Sequence, residues 1–82
     1  MTRERLNQVV VEELRRLAPE LDPAALREGV RIREDLDLDS FDFVRFLAAL
    51  DQRLGLSIPE ADYAQLVTIA DCLDYLEKRL HS

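Results

Sequence analysis

The feature that most constrains the fold is a set of three segments in which apolar residues recur at spacings of three and four, the period of one face of an α-helix. The first begins near Thr2 and ends before Pro19, the second spans about Ser40 to Leu54, and the third begins at Thr68. Their apolar residues are Leu6, Val10, Leu14 and Leu17; Phe43, Phe46, Leu47, Leu50 and Leu54; and Ile69, Leu73, Leu76 and Leu80. Only two glycines and three prolines interrupt the 82 residues, so the sequence predicts helices rather than short strands.

Capping residues indicate where these helices begin and end. Asp39 or Ser40 can cap the second helix, because either side chain can accept a hydrogen bond from a free amide of the first turn. Gly55 provides its C-terminal stop. Thr68 and Asp71, three residues apart, resemble a capping box with Asp in place of Glu, and place the start of the last helix.

The connections complete a small four-helix bundle. A long first loop, Pro19–Asp39, separates the first two main helices, and within it Asp22–Leu26 predicts a short helical turn. A connection of about twenty residues without a full helix is unusual in a compact domain and is often functional. A short helix is predicted over Glu60–Gln65. The expected fold is therefore all-α, with three main helices and one short helix.

Length and composition exclude several classes of protein. A chain of 82 residues predicts one domain, residues 1–82, without room for separate cofactor and substrate domains. One cysteine and one histidine provide neither an internal disulfide nor a zinc cage, and Cys72 is expected to be buried near the apolar face of the last helix. Apolar runs of at most five residues are too short for a membrane span, and the N-terminus lacks the apolar core of a secretion signal. We therefore expect a cytoplasmic monomer.

The charge is acidic and unevenly distributed. Eleven basic and seventeen acidic residues give a net charge of −6, which argues against nucleic acid as a partner. Five acids and no base lie within Glu34–Asp42. Such a concentration attracts a basic protein surface, although a solvated acidic loop has the same composition.

The alternating aspartates at the end of this loop suggest a calcium site, which the spacing then excludes. An EF-hand loop that starts at Asp35 requires Gly at its sixth position and Glu at its twelfth. Ser40 and Phe46 occupy those positions. The sequence predicts no metal site.

Ser40 lies where the long loop meets the second helix. The start of a helix has free amides and a partial positive charge, so a phosphate attached there is favourably placed. As a nucleophile Ser40 would need an adjacent base, and the only histidine, His81, lies at the end of the last helix. Ser40 is thus predicted to be modified rather than catalytic, with a simple helix cap as the other interpretation.

Here the sequence resembles the acyl carrier proteins, including the related peptidyl carrier domains. That family has an Asp-Ser-Leu tripeptide at the start of the second helix of a four-helix bundle, and Asp39–Phe41 matches it with Phe in place of Leu. Further segments at comparable places are Ile32–Leu36, Leu47–Asp51, Ile58-Pro59 and Thr68–Asp71.

The resemblance implies a cofactor and a role. A phosphopantetheinyl transferase would join 4′-phosphopantetheine from coenzyme A to the hydroxyl of Ser40, between Asp39 and Phe41. The thiol of this arm would hold an acyl or aminoacyl group as a thioester, loaded by a ligase and presented to downstream acyl-processing enzymes. The chain itself would not be an enzyme. Asp39 would be read by the transferase or would serve only as the helix cap, and Asp35 could likewise be only a loop residue.

The resemblance also implies a surface that binds those partners. Its expected residues are Asp35, Asp37, Asp42, Val44 and Arg45. Phe41 replaces the usual Leu, Ile or Met, Asp37 replaces a frequent Gly, and Arg45 replaces a common Glu. A positive charge at position 45 repels part of a basic partner surface, which favours a dedicated carrier of one pathway over service to the general fatty-acid synthase.

Several alternatives stay open. The cargo could belong to fatty-acid, polyketide or specialised lipid biosynthesis, or the chain could be an aminoacyl or peptidyl carrier. From another class, it could be an unmodified acidic helical module that binds a basic partner. Val44 is also expected to widen the apolar stripe of the second helix.

Overall fold

Three α-helices dominate the computed structural model, which describes residues 1–81. They are α1 (Arg3–Leu17), α2 (Ser40–Leu54) and α3 (Ile69–His81), and two 3-10 helices lie between them, at Pro23–Ala25 and Glu60–Gln65. The all-α prediction is confirmed, and each main helix has the predicted limits to within one residue. The short helix before α3 lies where it was predicted and has 3-10 geometry.

The core lies between the three α-helices, with α1 packed against both α2 and α3. The buried residues of these helices include Leu6, Val9, Val10 and Leu14; Phe43, Phe46, Leu47 and Leu50; and Ile69, Cys72, Leu73 and Leu76. The long first loop adds Leu26, Ile32 and Leu38 to the same core. Burial of these three side chains orders the loop although it contains no α-helix.

A backbone bridge holds the first loop against the start of α3. Arg31 and Thr68 form an isolated antiparallel bridge, in which the amide of Ile32 donates to the carbonyl of Val67 at 2.8 Å. Apolar periodicity did not predict this bridge, because it depends on two segments that are distant in sequence. It fixes the segment that leads towards α2.

The helix termini follow the predicted capping chemistry. Asp39 caps α2, its Oδ1 accepting from the amide of Asp42 at 2.7 Å, and Gly55 ends the helix with a left-handed φ of 66°. At α3 the Thr68 Oγ1 accepts from the amide of Asp71 at 3.0 Å, while the Asp71 carboxylate accepts from the amide of Thr68 at 3.1 Å. The capping box is confirmed in its form with Asp.

The expectation that Val44 widens the apolar stripe of α2 is wrong. Val44 is 44% exposed, whereas Phe43, Leu47 and Leu50 are buried. Since successive residues turn by about 100° around a helix, Val44 points well away from Phe43, while Leu47 and Leu50 return to within about 40° of it. The buried face of α2 is narrower than the sequence of apolar residues in this helix suggests.

An ion pair that the sequence did not reveal joins α1 to the end of α2. Glu13 is only 5% exposed, and its Oε2 accepts from the guanidinium of Arg53 at 2.8 Å. Arg53 also pairs with Glu12. The charge of Arg53 is therefore neutralised by carboxylates of α1.

Candidate cofactor attachment site

Ser40 is the first residue of α2, and it is exposed. The residue before it, Asp39, is still extended, with φ −78° and ψ 175°. The chain therefore changes from loop to helix at Ser40, and its side chain lies on the surface. Among the two residues considered as the cap, Asp39 takes that role and leaves the Ser40 hydroxyl available.

The first turn of α2 has amides to offer a phosphate. The side chain of Asp39 accepts from the amide of Asp42, and its carbonyl accepts from the amide of Phe43 at 3.0 Å. Within residues 1–81 the amides of Ser40 and Phe41 have no hydrogen-bond acceptor. Two free amides and the positive end of the helix dipole suit a phosphodiester on the Ser40 oxygen. The residues present thus fit the phosphate of a phosphopantetheine arm.

A tight turn directs the chain into this position. The amide of Leu38 donates to the carbonyl of Arg33 at 2.9 Å, and Asp37, just before Leu38, has a left-handed φ of 55°. This six-residue closure with a left-handed residue before its end is the Schellman pattern, in which glycine is usual. The geometry explains why Gly is frequent at the position of Asp37 in the family that the sequence resembles.

The five acidic residues within Glu34–Asp42 divide into a group that is paired with a base and a group that is not. Asp35 accepts from the backbone amide of Arg31 at 2.8 Å and from its guanidinium at 2.9 Å, and Glu34 pairs with the same arginine. The hydrogen bonds from Arg31 lower the pKa of Asp35 below its ordinary value. Asp35 therefore stabilises the loop, one of the two roles considered for it, and its assignment as a partner-binding residue stays a prediction. No basic side chain within residues 1–81 pairs with the other acids of the segment, Asp37, Asp39 and Asp42.

Apolar side chains project next to Ser40. Phe41 is 69% exposed and Val44 is 44% exposed. The guanidinium of Arg45 lies 5.8 Å from the centre of the Phe41 ring. The structure therefore brings together most of the expected residues, Ser40 with Phe41 and Asp39 at one end of α2, and Val44 and Arg45 about one turn further along.

A cavity of about 450 Å³ lies behind the first turn of α2, between the first loop and the second 3-10 helix. Its apolar wall consists of Phe43, Tyr63, Ala64, Leu66 and Val67. Phe43 and Tyr63 meet edge to face, with ring centres 6.3 Å apart. The other lining residues are charged: Arg31, Arg33, Glu34 and Glu60. The arrangement provides a compartment with an apolar wall three residues along the helix from Ser40.

The sequence did not locate this cavity. Phe43 was expected in the core, and it is buried, but its contact with Tyr63 depends on how the second 3-10 helix packs. Arg33 adds a further contact, since its guanidinium lies 5.6 Å from the centre of the Phe43 ring. An apolar run at Leu66-Val67 just before the Thr68 cap was the only local signal.

Comparison with known proteins identifies the family. The family model described as "Phosphopantetheine attachment site" matches residues 4–76. The chain belongs to the acyl carrier protein family. It is a carrier whose cofactor is a covalently attached 4′-phosphopantetheine.

Individual relatives agree with that membership. The chain is 37% identical over 73 residues to an acyl carrier protein of Campylobacter curvus, covering 89% of this chain and 88% of that protein. An acyl carrier protein of Wolinella succinogenes is 31% identical over 72 residues, 88% of each chain. The solved structure of an acyl carrier protein from Enterococcus faecalis superposes with a TM-score of 0.74 at 22% identity, covering 96% of this chain and 99% of that one. The last similarity confirms the four-helix carrier fold.

Proposed function

We propose that Ser40 carries the 4′-phosphopantetheine arm and that the chain shuttles an acyl group between enzymes. The observation that supports this is an exposed serine hydroxyl at the first residue of α2, beside two amides without acceptors. Asp39 and Phe41 flank the attachment point. Residues 1–82 act as one carrier domain.

Attachment makes one bond and breaks one. The Ser40 oxygen bonds to the phosphorus that carries pantetheine, the pyrophosphate bond of coenzyme A breaks, and 3′,5′-ADP leaves. The hydroxyl proton passes to a base of the transferase. In this step the chain supplies an accessible oxygen and a helix terminus that stabilises the product's negative charge.

The cavity behind Phe43 supports an acyl group as the cargo rather than an aminoacyl group. An apolar wall gains free energy from an alkyl chain, at roughly 0.8 kcal/mol for each buried methylene. A charged ammonium gains nothing from this wall and loses hydration. Of the two carboxylates that also line the cavity, Glu34 and Glu60, the first is already paired with Arg31. An acyl thioester can therefore fold back into the carrier between encounters.

The partners proposed for this role are a phosphopantetheinyl transferase, an acyl-loading ligase and acyl-processing enzymes. Asp37, Asp39 and Asp42 support an electrostatic encounter, since no base within residues 1–81 pairs with them. The chain would act as a monomer in the cytoplasm, where coenzyme A and the transferase are available, and would itself catalyse no step. No helix among residues 1–81 has the length and apolarity needed to cross a membrane.

Intact mass measurement tests the attachment. The protein is incubated with coenzyme A and a broad-specificity phosphopantetheinyl transferase, and wild type is compared with Ser40→Ala. Ser57→Ala is the matched control, because Ser57 is also exposed but lies outside a helix terminus. We expect one added arm on wild type and on Ser57→Ala, and none on Ser40→Ala. Addition to Ser40→Ala would place the arm elsewhere, and no addition to wild type would favour an unmodified interaction module.

A second measurement tests the cargo. The arm is loaded with an octanoyl group or with a valyl group, and the ring resonances of Phe43 and Tyr63 are followed by NMR. Octanoyl is expected to shift both rings and valyl to leave them unchanged. Equal shifts, or shifts with valyl alone, would contradict the acyl assignment and favour an aminoacyl carrier.

A further inference from the structure

The cavity behind the first turn of α2 ends at a pair of aromatic rings. Its lining includes a single residue of α2, Phe43, and within residues 1–81 none of α1 or α3. Phe43 contacts Tyr63 edge to face, with ring centres 6.3 Å apart. The fully buried residues that follow along α2, Phe46, Leu47 and Leu50, do not line the cavity. The two rings therefore separate the cavity from the core between the helices.

Contacts on both sides hold these rings in place. The guanidinium of Arg33 lies 5.6 Å from the centre of the Phe43 ring. On the other side, the hydroxyl of Tyr75 on α3 donates to the carboxylate of Asp62 at 2.5 Å. This bond holds the second 3-10 helix, which carries Tyr63, against α3. The ring pair is thus a supported wall of the cavity.

Away from the rings, the cavity offers an alkyl chain little to bind. Arg31, Arg33, Glu34 and Glu60 line it there, and charged groups keep their hydration rather than cover an alkyl chain. A chain longer than the apolar wall would have to pass between the rings into the core or past these charges into solvent. The rings close the first route, and the second buries no apolar surface and so gains no free energy.

The size of the cavity sets the length of chain that it can shelter. Its volume is about 450 Å³, and one side is open to solvent. Because a cavity of about 150 Å³ holds one benzene ring, this volume would hold about eighteen carbons if it were closed, and roughly half of them as it stands. An acyl group of about eight carbons therefore fills it.

We propose that Phe43 and Tyr63 select short and medium acyl groups as cargo, because they close the route by which a longer chain would enter the core. The proposal rests on the proposed function, since the cargo is the acyl group on the arm at Ser40. Carbons beyond about the eighth stay in solvent and add nothing to the stability of the loaded carrier. The two rings are thus specificity-determining residues for the cargo.

Thermal unfolding of a series of loaded carriers tests this limit. The arm is loaded with a butanoyl, octanoyl, dodecanoyl or hexadecanoyl group, and each Tm is taken relative to the unloaded, arm-bearing form of the same variant. In wild type the Tm should rise from butanoyl to octanoyl and then stay level. In Tyr63→Ala the rise should continue to dodecanoyl, because an aromatic side chain buries about 150 Å² or more and a methylene about 30 Å², so that its removal frees wall for about five methylenes.

Two further variants complete the set. Phe43→Leu removes the other ring but keeps an apolar side chain in the core, and should extend the rise in the same way. Phe41→Ala is the matched control, because Phe41 is an exposed aromatic residue of α2 that does not line the cavity. Its Tm should become level at octanoyl, as in wild type. In the dodecanoyl forms, the methyl resonances of Leu47 should shift in Tyr63→Ala and stay unchanged in wild type.

Three results overturn the inference. A wild-type Tm that keeps rising to hexadecanoyl, or a shift of Leu47 in loaded wild type, would show that the chain passes the rings. A limit that stays at octanoyl in both Tyr63→Ala and Phe43→Leu would show that the rings do not set it. A limit that moves in Phe41→Ala would show that the effect is not specific to the ring pair.

Failure of the proposed function gives a different result. If mass measurement shows no arm on wild type, or if octanoyl leaves the ring resonances of Phe43 and Tyr63 unshifted, the attachment or the use of the cavity is wrong. If the arm is present and octanoyl shifts both rings, but the length limit does not depend on them, the proposed function stands and the inference about cargo length is wrong.

Discussion

Asp39 is the residue at which stability and recognition can be separated most sharply. Its Oδ1 accepts from the amide of Asp42 at 2.7 Å, so it caps α2, and its charge lies directly before Ser40. An Asp39→Ala change removes both the acceptor and the charge. An Asp39→Asn change removes the charge and keeps an oxygen that can accept the same bond.

The expected loss of stability follows from these two contributions. Loss of an N-cap side chain costs about 1 kcal/mol, within a range of about 0.5–2. Loss of a negative charge at the start of a helix costs about 0.3–1 kcal/mol. Asp39→Ala should therefore lower the free energy of unfolding by roughly 1–2 kcal/mol, and Tm by about 5–15 °C in a domain of this size. Asp39→Asn should lose about 0.3–1 kcal/mol.

Urea unfolding and the initial rate of arm addition measure the two effects on the same samples. Thr68→Ala is the matched control, because Thr68 Oγ1 caps α3 through the amide of Asp71 at 3.0 Å, away from Ser40 in sequence. Thr68→Ala should lose a similar amount of stability and keep the wild-type rate of arm addition. Both variants of Asp39 should slow arm addition about tenfold if the transferase reads the charge.

Two results would refute parts of this reasoning. An Asp39→Ala protein that unfolds at the wild-type urea concentration would show that the bond to Asp42 contributes nothing to stability. An Asp39→Asn protein that acquires the arm at the wild-type rate would show that Asp39 serves α2 only as a cap.

Three further predictions concern the turn before α2 and the core of α3. Because Asp37 has a φ of 55°, Asp37→Gly should keep or raise Tm in a thermal melt, whereas Asp37→Val should lose about 1–2 kcal/mol; equal melts would remove the argument for strain. Burial raises the pKa of the Cys72 thiol from 9.0 to about 12, so at pH 8 a thiol-reactive disulfide reagent should label the folded protein only after the arm is attached, and rapid labelling without the arm would contradict burial. The same shift contributes its full stabilisation well below pH 9.0, and the free energy of unfolding should fall between pH 9.0 and about 12, by up to about 1.4 kcal/mol per pH unit in the middle of that range. Cys72→Ala should remove that part of the slope, and an unchanged slope would exclude Cys72 as its source.

Local signals were sufficient for the helices and for the position of Ser40, the proposed attachment site. The helix termini at Gly55 and at Thr68 with Asp71 depend on hydrogen bonds between residues close in sequence. The amino-acid sequence alone therefore predicted them. The position of Ser40 was predicted in the same way, because the helical spacing of apolar residues begins directly after the loop. Its proposed role came from the resemblance at Asp39–Phe41.

The functional surfaces needed contacts between distant segments. Asp35 was expected to face partners or to be only a loop residue, and its bonds to Arg31 are made only when the loop closes upon itself. The cavity forms where Phe43 contacts Tyr63, and no pattern in the sequence predicts this contact. Glu13 is charged and yet buried, because Arg53 from α2 reaches it.

What the sequence determined by itself is the set of three helices, their limits and the exposed serine at the start of the second, since periodicity and capping depend on neighbours within a few residues. What only the tertiary structure decided is which side chains stay available to other molecules. Val44 was expected both in the apolar stripe of α2 and on the partner-binding surface, and it is exposed. Arg53 is neutralised by α1, whereas Arg45 forms no ion pair within residues 1–81. Burial and ion pairing depend on elements far apart in the chain, and those are brought together only by folding.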